Sequence, residues 1–143
     1  MGLDMYLNAK KYLWRTKDAE VAKQIGEILE VGNRVKEITI EAAYWRKANH
    51  IHAWFVENVQ NGEDNCREYD VDRDKLIELL QTCRQCLDGG YSHLLPRAEG
   101  FFFGSKEYDE DYWADIKDTA ETLNTLLSDP NLEEFSFTYQ SSW

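Results

Sequence analysis

The chain has 143 residues, a net charge of −11, 43% hydrophobic and 13% aromatic content. That length holds one domain with a real core, and a supply of Trp, Tyr and Phe this large is not that of a disordered chain. The acidic balance argues against non-specific binding to nucleic acid and against docking on an anionic membrane surface, and no apolar run is long enough to span a bilayer.

The start, MGLDMYL, has no basic and apolar leader, so export is not expected. Three cysteines without export read as reduced thiols in a cytoplasm.

In chain order, Leu3, Met5 and Leu7 alternate with Asp4, Tyr6 and Asn8, the period of a half-buried strand reaching toward Trp14. Thr16 caps an expected helix through Leu29, with Val21, Ala22, Ile25, Ile28 and Leu29 as its apolar stripe. Within it Gly26 costs ~1 kcal/mol relative to alanine. Gly32-Asn33 signals a turn, and Val35 to Ile40 alternates again as a second strand.

The most strongly patterned stretch follows, Ala43 to Gly62. At ~100° per residue Trp45, Ala48, Ile51, His52, Phe55, Val56 and Val59 share one arc, which predicts an amphipathic helix ended by Gly62. Trp54 falls opposite that arc, beside Lys47 and Asn58, and a third strip carries Arg46, His50 and Glu57. On this reading the Trp54 indole and the His50 ring are exposed, whereas His52 is packed and hydrogen-bonded to backbone or to a carboxylate.

Glu68 to Val71 is extended, and Asp72 caps a helix with Leu76, Ile77, Leu79, Leu80, Cys83 and Leu87 on its buried face and a staple of Val71 with Leu76. Gly89-Gly90 ends it. Tyr91 to Glu99 is a loop, and Gly100 to Gly104, GFFFG, reads as a short buried strand. A last helix begins near Ser105 or Asp109, with Tyr108, Tyr112, Trp113, Ile116, Ala120, Leu123 and Leu127 on one side. Phe135, Phe137 and Tyr139 mark a final strand. The order predicts a single α+β domain over residues 1–143, a mixed or antiparallel sheet packed with about four helices. Leu76, Leu79, Leu80, Phe55, Val56, Ile116, Leu123 and Phe101 to Phe103 are its expected core.

The blocks MGLDMYL, YWRKANHIHAWFVENVQNG, CREYDVDRDKLIELL, FFFGSKEYDEDYWADIKDT and the terminal YQSSW together resemble a family of small acidic proteins encoded by tailed bacteriophages and prophages. The resemblance covers the first dozen residues and most of the chain from Trp45 onward, and relatives differ most between about Thr16 and Ile40. It implies a phage-type accessory protein in a bacterial cytoplasm and is nearly silent on chemistry. The family pattern holds Cys66 and Cys83 but not Cys86.

Cys83-Arg84-Gln85-Cys86, with Cys66 and His93, makes a formal four-ligand zinc set, but zinc knuckles sit in turns, and this pair continues an apolar helical stripe. Cys83 therefore reads as core with Cys86 beside it, and neither a metal nor a cofactor is expected. His50 and His52 lie two apart, on different helix faces, and do not share a metal. No serine elbow, phosphate loop or HExxH pair is present.

Two surfaces remain as candidates. Arg46, Lys47, Asn49, His50 and Trp54 put cations beside an indole, a combination suited to a nucleotide-like anion. The simpler reading packs Trp54 under a loop and pairs Arg46 and Lys47 with surface carboxylates. Glu110, Asp111, Asp115, Asp118 and Glu121 line the outer side of the last helix. That is ordinarily a solvated face, and it is also a surface that imitates nucleic-acid phosphates toward a basic host protein, although Lys106 and Lys117 interrupt it. The leading functional expectation is binding of a host or phage protein, including to counter host defence. The alternatives are a binder of a small nucleotide-like anion and an enzyme of unassigned class. Neither membrane nor direct nucleic-acid binding is expected, and a homo-oligomer stays open.

Overall fold

The strand Asp4–Tyr12 (β1) is the one on which the sheet is built. A computed structural model of the protein describes residues 2–100 and 103–143. From Leu3, just before β1, through Met5, Leu7 and Ala9 within it, every second side chain is fully out of solvent. Ala19–Ile28 (α1), Glu37–Arg46 (β2), Asn49–Asn58 (α2), Tyr69–Val71 (β3), Arg73–Gly89 (α3), Glu110–Ser128 (α4) and Ser136–Ser142 (β4) follow, with single helical turns at Ser92–Leu94 and Pro130–Leu132. The sheet has the order β2-β1-β4-β3, and every neighbouring pair is antiparallel. The chain is an α+β domain, and none of its described helices is long and apolar enough to cross a membrane.

β2 runs six residues beyond the strand expected at Val35 to Ile40, and a bulge explains why. Leu7 pairs with Ala43 and Asn8 with Glu41, so Ala42 is the extra residue. One inserted residue reverses the in-out parity of a strand. Ile40, opposite Ala9, and Trp45, opposite Met5, therefore lie on the same face despite their odd separation. Ala43 to Arg46 are thus strand rather than the first turn of a helix.

The helices cover the face that carries Met5, Leu7 and Ala9. Trp45 Nε1 donates to Thr119 Oγ1 at 2.8 Å, joining β2 to α4. Phe55 of α2 stacks on Tyr139 of β4, ring centroids 3.9 Å apart at 7°. Leu76, Leu79, Leu80 and Cys83 of α3 join Ile116, Ala120, Leu123 and Leu126 of α4 in the buried core. Val56, expected in that core, is half-buried.

The capping signals act locally. Asp109 Oδ1 accepts from the Tyr112 amide at 3.2 Å and starts α4. Asp72 precedes α3 without a side-chain bond, but its staple partners Val71 and Leu76 are both buried. Gly90 ends α3 at φ 65°. In GFFFG, Phe101 and Phe102 lie outside the described residues, while Gly100, Phe103 and Gly104 belong to no strand.

α1 departs furthest from expectation. It starts at Ala19, not after Thr16, and the Asp18 carboxylate accepts from the Trp14 amide at 2.9 Å instead of capping the helix. Its apolar stripe is only partly covered: Val21 is 43% and Ile28 80% exposed, Leu29 just past its end is 60% exposed, Ala22 and Ile25 are half-buried, and only Gly26 is buried. A Cβ on Gly26 would stand 1.9 Å from the Gly32 carbonyl oxygen. That residue is the contact point of the chain reversal and not a defect in the helix.

Candidate functional site

α2 is buried nearly all round: Asn49, His50, Ile51, His52, Trp54 and Phe55 are all out of solvent. A helix in that position has no outer polar face of its own, which corrects the expectation of an exposed Trp54 and an exposed His50. The Trp54 indole packs edge-on against Phe55, centroids 5.4 Å apart. Arg46, on β2, stays exposed and pairs with Asp4 at 2.9 Å, and the Tyr44 hydroxyl bonds the same carboxylate. The Tyr44 hydrogen bond, with Arg46, lowers the Asp4 pKa against the opposing pull of desolvation. Lys47 is exposed at the left-handed turn between β2 and α2, φ 56°. The five residues therefore do not share one surface.

Asn49 and His50 fasten the Tyr91–Asp109 segment to the fold. Asn49 Nδ2 donates to the carbonyls of Phe103 at 3.1 Å and Ser105 at 2.8 Å, and its Oδ1 accepts from the Ala98 amide at 3.2 Å. Arg97 Nη1 donates to His50 Nδ1 at 3.1 Å. The guanidinium also lies 5.3 Å over the Tyr112 ring, donates through Nε to the Glu107 carbonyl, and stands 3.8 Å from Asp109. A ring nitrogen that accepts from arginine belongs to a neutral imidazole, so the His50 proton sits on Nε2. That atom is buried without a hydrogen-bond partner. Burial first, then Arg97, lowers the His50 pKa to about 3.

His52 is tied on both sides. Its Nδ1 lies 2.7 Å from the Tyr139 hydroxyl and its Nε2 3.0 Å from Asp64 Oδ1, which also accepts from Trp143 Nε1 at 3.0 Å. The carboxylate partner expected for His52 is Asp64. Burial lowers the His52 pKa and Asp64 works against it, while burial raises that of Tyr139. Asp64, His52 and Tyr139 have the order of a proton relay, but Tyr139 is 0% exposed, so the chain of bonds ends in the core and acts as a tie.

Glu110, Asp111, Asp118 and Glu121 are exposed and Asp115 is half-buried. None of the five is in an ion pair among the described residues. Burial raises the Asp115 pKa to about 6. Arg97 pulls it down, and Asp111, Asp118 and Asp109 push it further up. At its far end the acidic row runs into a cleft between β2 and α4 of about 460 Å³. Ile40, Ala42, Leu126 and Leu132 are apolar walls of that cleft, and Glu41, Glu121 and Asp129 supply its carboxylates.

Cys83 and Cys86 are both buried on α3, and burial pushes the Cys83 thiol up to about 12. Cys86, expected beside the core, lies within it and donates from Sγ to the Tyr91 carbonyl at 3.2 Å. No three His, Cys, Asp or Glu side chains gather as metal ligands among the described residues.

Sequence reasoning missed Arg97, the cation on which His50, Tyr112 and Asp109 converge, and the cleft walls Ile40 and Leu132. Arg97 stands in a loop, where no periodicity marks it. The chain matches no family model, and no curated protein or solved structure matches it.

Proposed function

We propose that the protein acts by binding, docking the acidic side of α4 and the adjoining β2–α4 cleft on a basic surface of a protein partner. The observation that carries this reading is the union of the two features: an un-neutralised carboxylate row that ends in a cleft with apolar walls. A lysine or arginine side chain buries an aliphatic stem while its charged head seeks a carboxylate. Such a cleft accepts both parts. Burial is the main cause of the raised Asp115 pKa, and Asp111, Asp118 and Asp109 add to it by repulsion, which a cationic partner relieves.

The resemblance to phage and prophage proteins supports a partner in the cytoplasm of a bacterial cell, of host or phage origin. Blocking a basic groove on a host protein, including one that serves defence, is the role this surface suits.

The test is capture from phage-infected and prophage-bearing bacteria with the wild-type chain and with Asp111→Lys/Asp118→Lys/Glu121→Lys, all at exposed positions. The expected result is a basic protein retained by the wild type, lost with the reversed charges and released as salt rises. Equal retention by both chains would overturn the reading.

A further inference from the structure

A larger cleft than the one beside α4 lies between α1 and the strand ends that flank it, with a volume of about 770 Å³. Its chemistry is opposite to that of the rest of the molecule. From Lys10 to Lys36 the chain holds seven Lys and Arg against four Asp and Glu. The remainder holds nine against 23, a net −14. Arg15, Lys23 and Lys36 line the cleft, with Glu20 as its one carboxylate. In a protein with 27 acidic residues these three cations enter no ion pair among the described residues. The nearest buried acid, Asp18, is already engaged by Lys11 at 3.4 Å and by the Trp14 amide.

Two aromatic rings complete the wall. Trp14 is 57% and Tyr12 50% exposed, their centroids 4.8 Å apart at 66°. The main chain beneath them is fixed, because Leu13 donates to the Lys36 carbonyl at 2.7 Å and Trp14 to Asp18. The indole is thus held on a rigid support with its surface open to the cleft.

We propose that this cleft binds a small planar aromatic ring carrying a phosphate, of the nucleoside monophosphate or diphosphate class. The base stacks on Trp14, a contact open to every base because each has a π face. Arg15, Lys23 and Lys36 take the phosphate, and Glu20 accepts from a sugar hydroxyl or a ring amine. The volume lies within the range of small-molecule sites. A polynucleotide is disfavoured, because its further phosphates would meet a molecule whose remaining residues carry a net −14. The site is independent of the α4 surface, and charge reversal on α4 leaves it intact.

Calorimetric titration with adenosine, guanosine, cytidine and uridine monophosphates tests the proposal. Adenosine alone, inorganic phosphate alone and a short single-stranded oligonucleotide are titrated beside them. The expected result is saturable binding of at least one mononucleotide at millimolar concentration or below. Adenosine and phosphate should bind at least tenfold more weakly. Trp14→Ala and Lys23→Gln/Lys36→Gln should each weaken the mononucleotide at least tenfold while retaining the wild-type circular dichroism and melting temperature. The exposed lysine variants stand on their own if Trp14→Ala disturbs the fold. Absence of saturation by all four mononucleotides overturns the proposal. So does unchanged affinity in the lysine variants, or tighter binding of the oligonucleotide than of any mononucleotide.

Discussion

The Arg97 guanidinium donates to His50 Nδ1 across 3.1 Å while both side chains lie within 5% of full burial. A proton on that nitrogen would displace the bond and set two cations together. The folded His50 pKa of about 3 lies below the ordinary 6.5, so the unfolded chain binds the proton first, and stability drains as pH falls from about 6.5 to about 3. Asp115 acts in the other direction. Its folded pKa of about 6 lies above 3.8, so it adds stability as pH falls through that interval. Urea unfolding of His50→Gln, which keeps an acceptor for Arg97, should therefore show a shallower acid loss than the wild type below pH 6.5. The difference should approach ~1.4 kcal/mol per pH unit. Parallel curves for the two proteins would refute this assignment.

Asn49 uses both ends of its amide on the 98–105 segment. Asn49→Ala should cost about 2–4 kcal/mol, because two carbonyls and one amide lose their partner. Asn49→Asp should cost more, since a carboxylate faces the Phe103 and Ser105 carbonyls with nothing to donate. Faster hydrogen exchange at Ala98 in both variants would mark the loosened loop. A ligand-binding role alone would leave exchange unchanged.

Helix propensity favours alanine over glycine by ~1 kcal/mol, yet Gly26→Ala should destabilise. The added carbon would stand 1.9 Å from the Gly32 carbonyl, so the reversal after α1 has to open. Ile28→Gln at the end of the same helix and Leu29→Gln just past it should change stability by only ~0.5 kcal/mol, as both side chains are largely in water. Thermal melting of the three variants decides it, and a stabilised Gly26→Ala would show that the reversal yields freely.

The three thiols should separate by reactivity. Cys66 is half-buried, while Cys83 and Cys86 are fully enclosed and burial raises both thiols. A thiol reagent at neutral pH should titrate one cysteine in the folded protein and three after unfolding. Rapid modification of all three in the native state would contradict a buried pair.

β1, β4, α3 and α4 were legible because each carries one uninterrupted period and a local stop: Gly90 for α3, Asp109 and Asp129 at the ends of α4. The α2 region was not. Trp45 and Ala48 happen to continue the helical arc of Ile51 and Phe55, and the bulge at Ala42 hides the strand parity that assigns Trp45 to β2. Trp54 was misjudged for a different reason: a helical wheel shows which residues share an arc, but not that α2 is enclosed on several sides. Likewise the stripe of α1 is periodic, yet Val21, Ile28 and Leu29 still face water, since periodicity does not provide a neighbour. Arg97 belongs to a third class, a loop residue whose partners are distant in sequence and converge only in the fold.

The strand order has a consequence for how the molecule is made. β3 has a single neighbour, β4, and β4 is also what joins β3 to β1. While a ribosome extends the chain, β1 and β2 can zip into a two-stranded ribbon, which is marginal alone. β3 emerges with nothing to pair with, and α3 and α4 form their hairpin beside an unfinished sheet. Only when Ser136–Ser142 arrives do Leu7 and Tyr139 come together, closing a loop that spans nearly the whole chain. Closure of that length is entropically the costliest contact to form and belongs late in folding. Ser136–Ser142 is therefore the element that turns two separate pieces into one cooperative body.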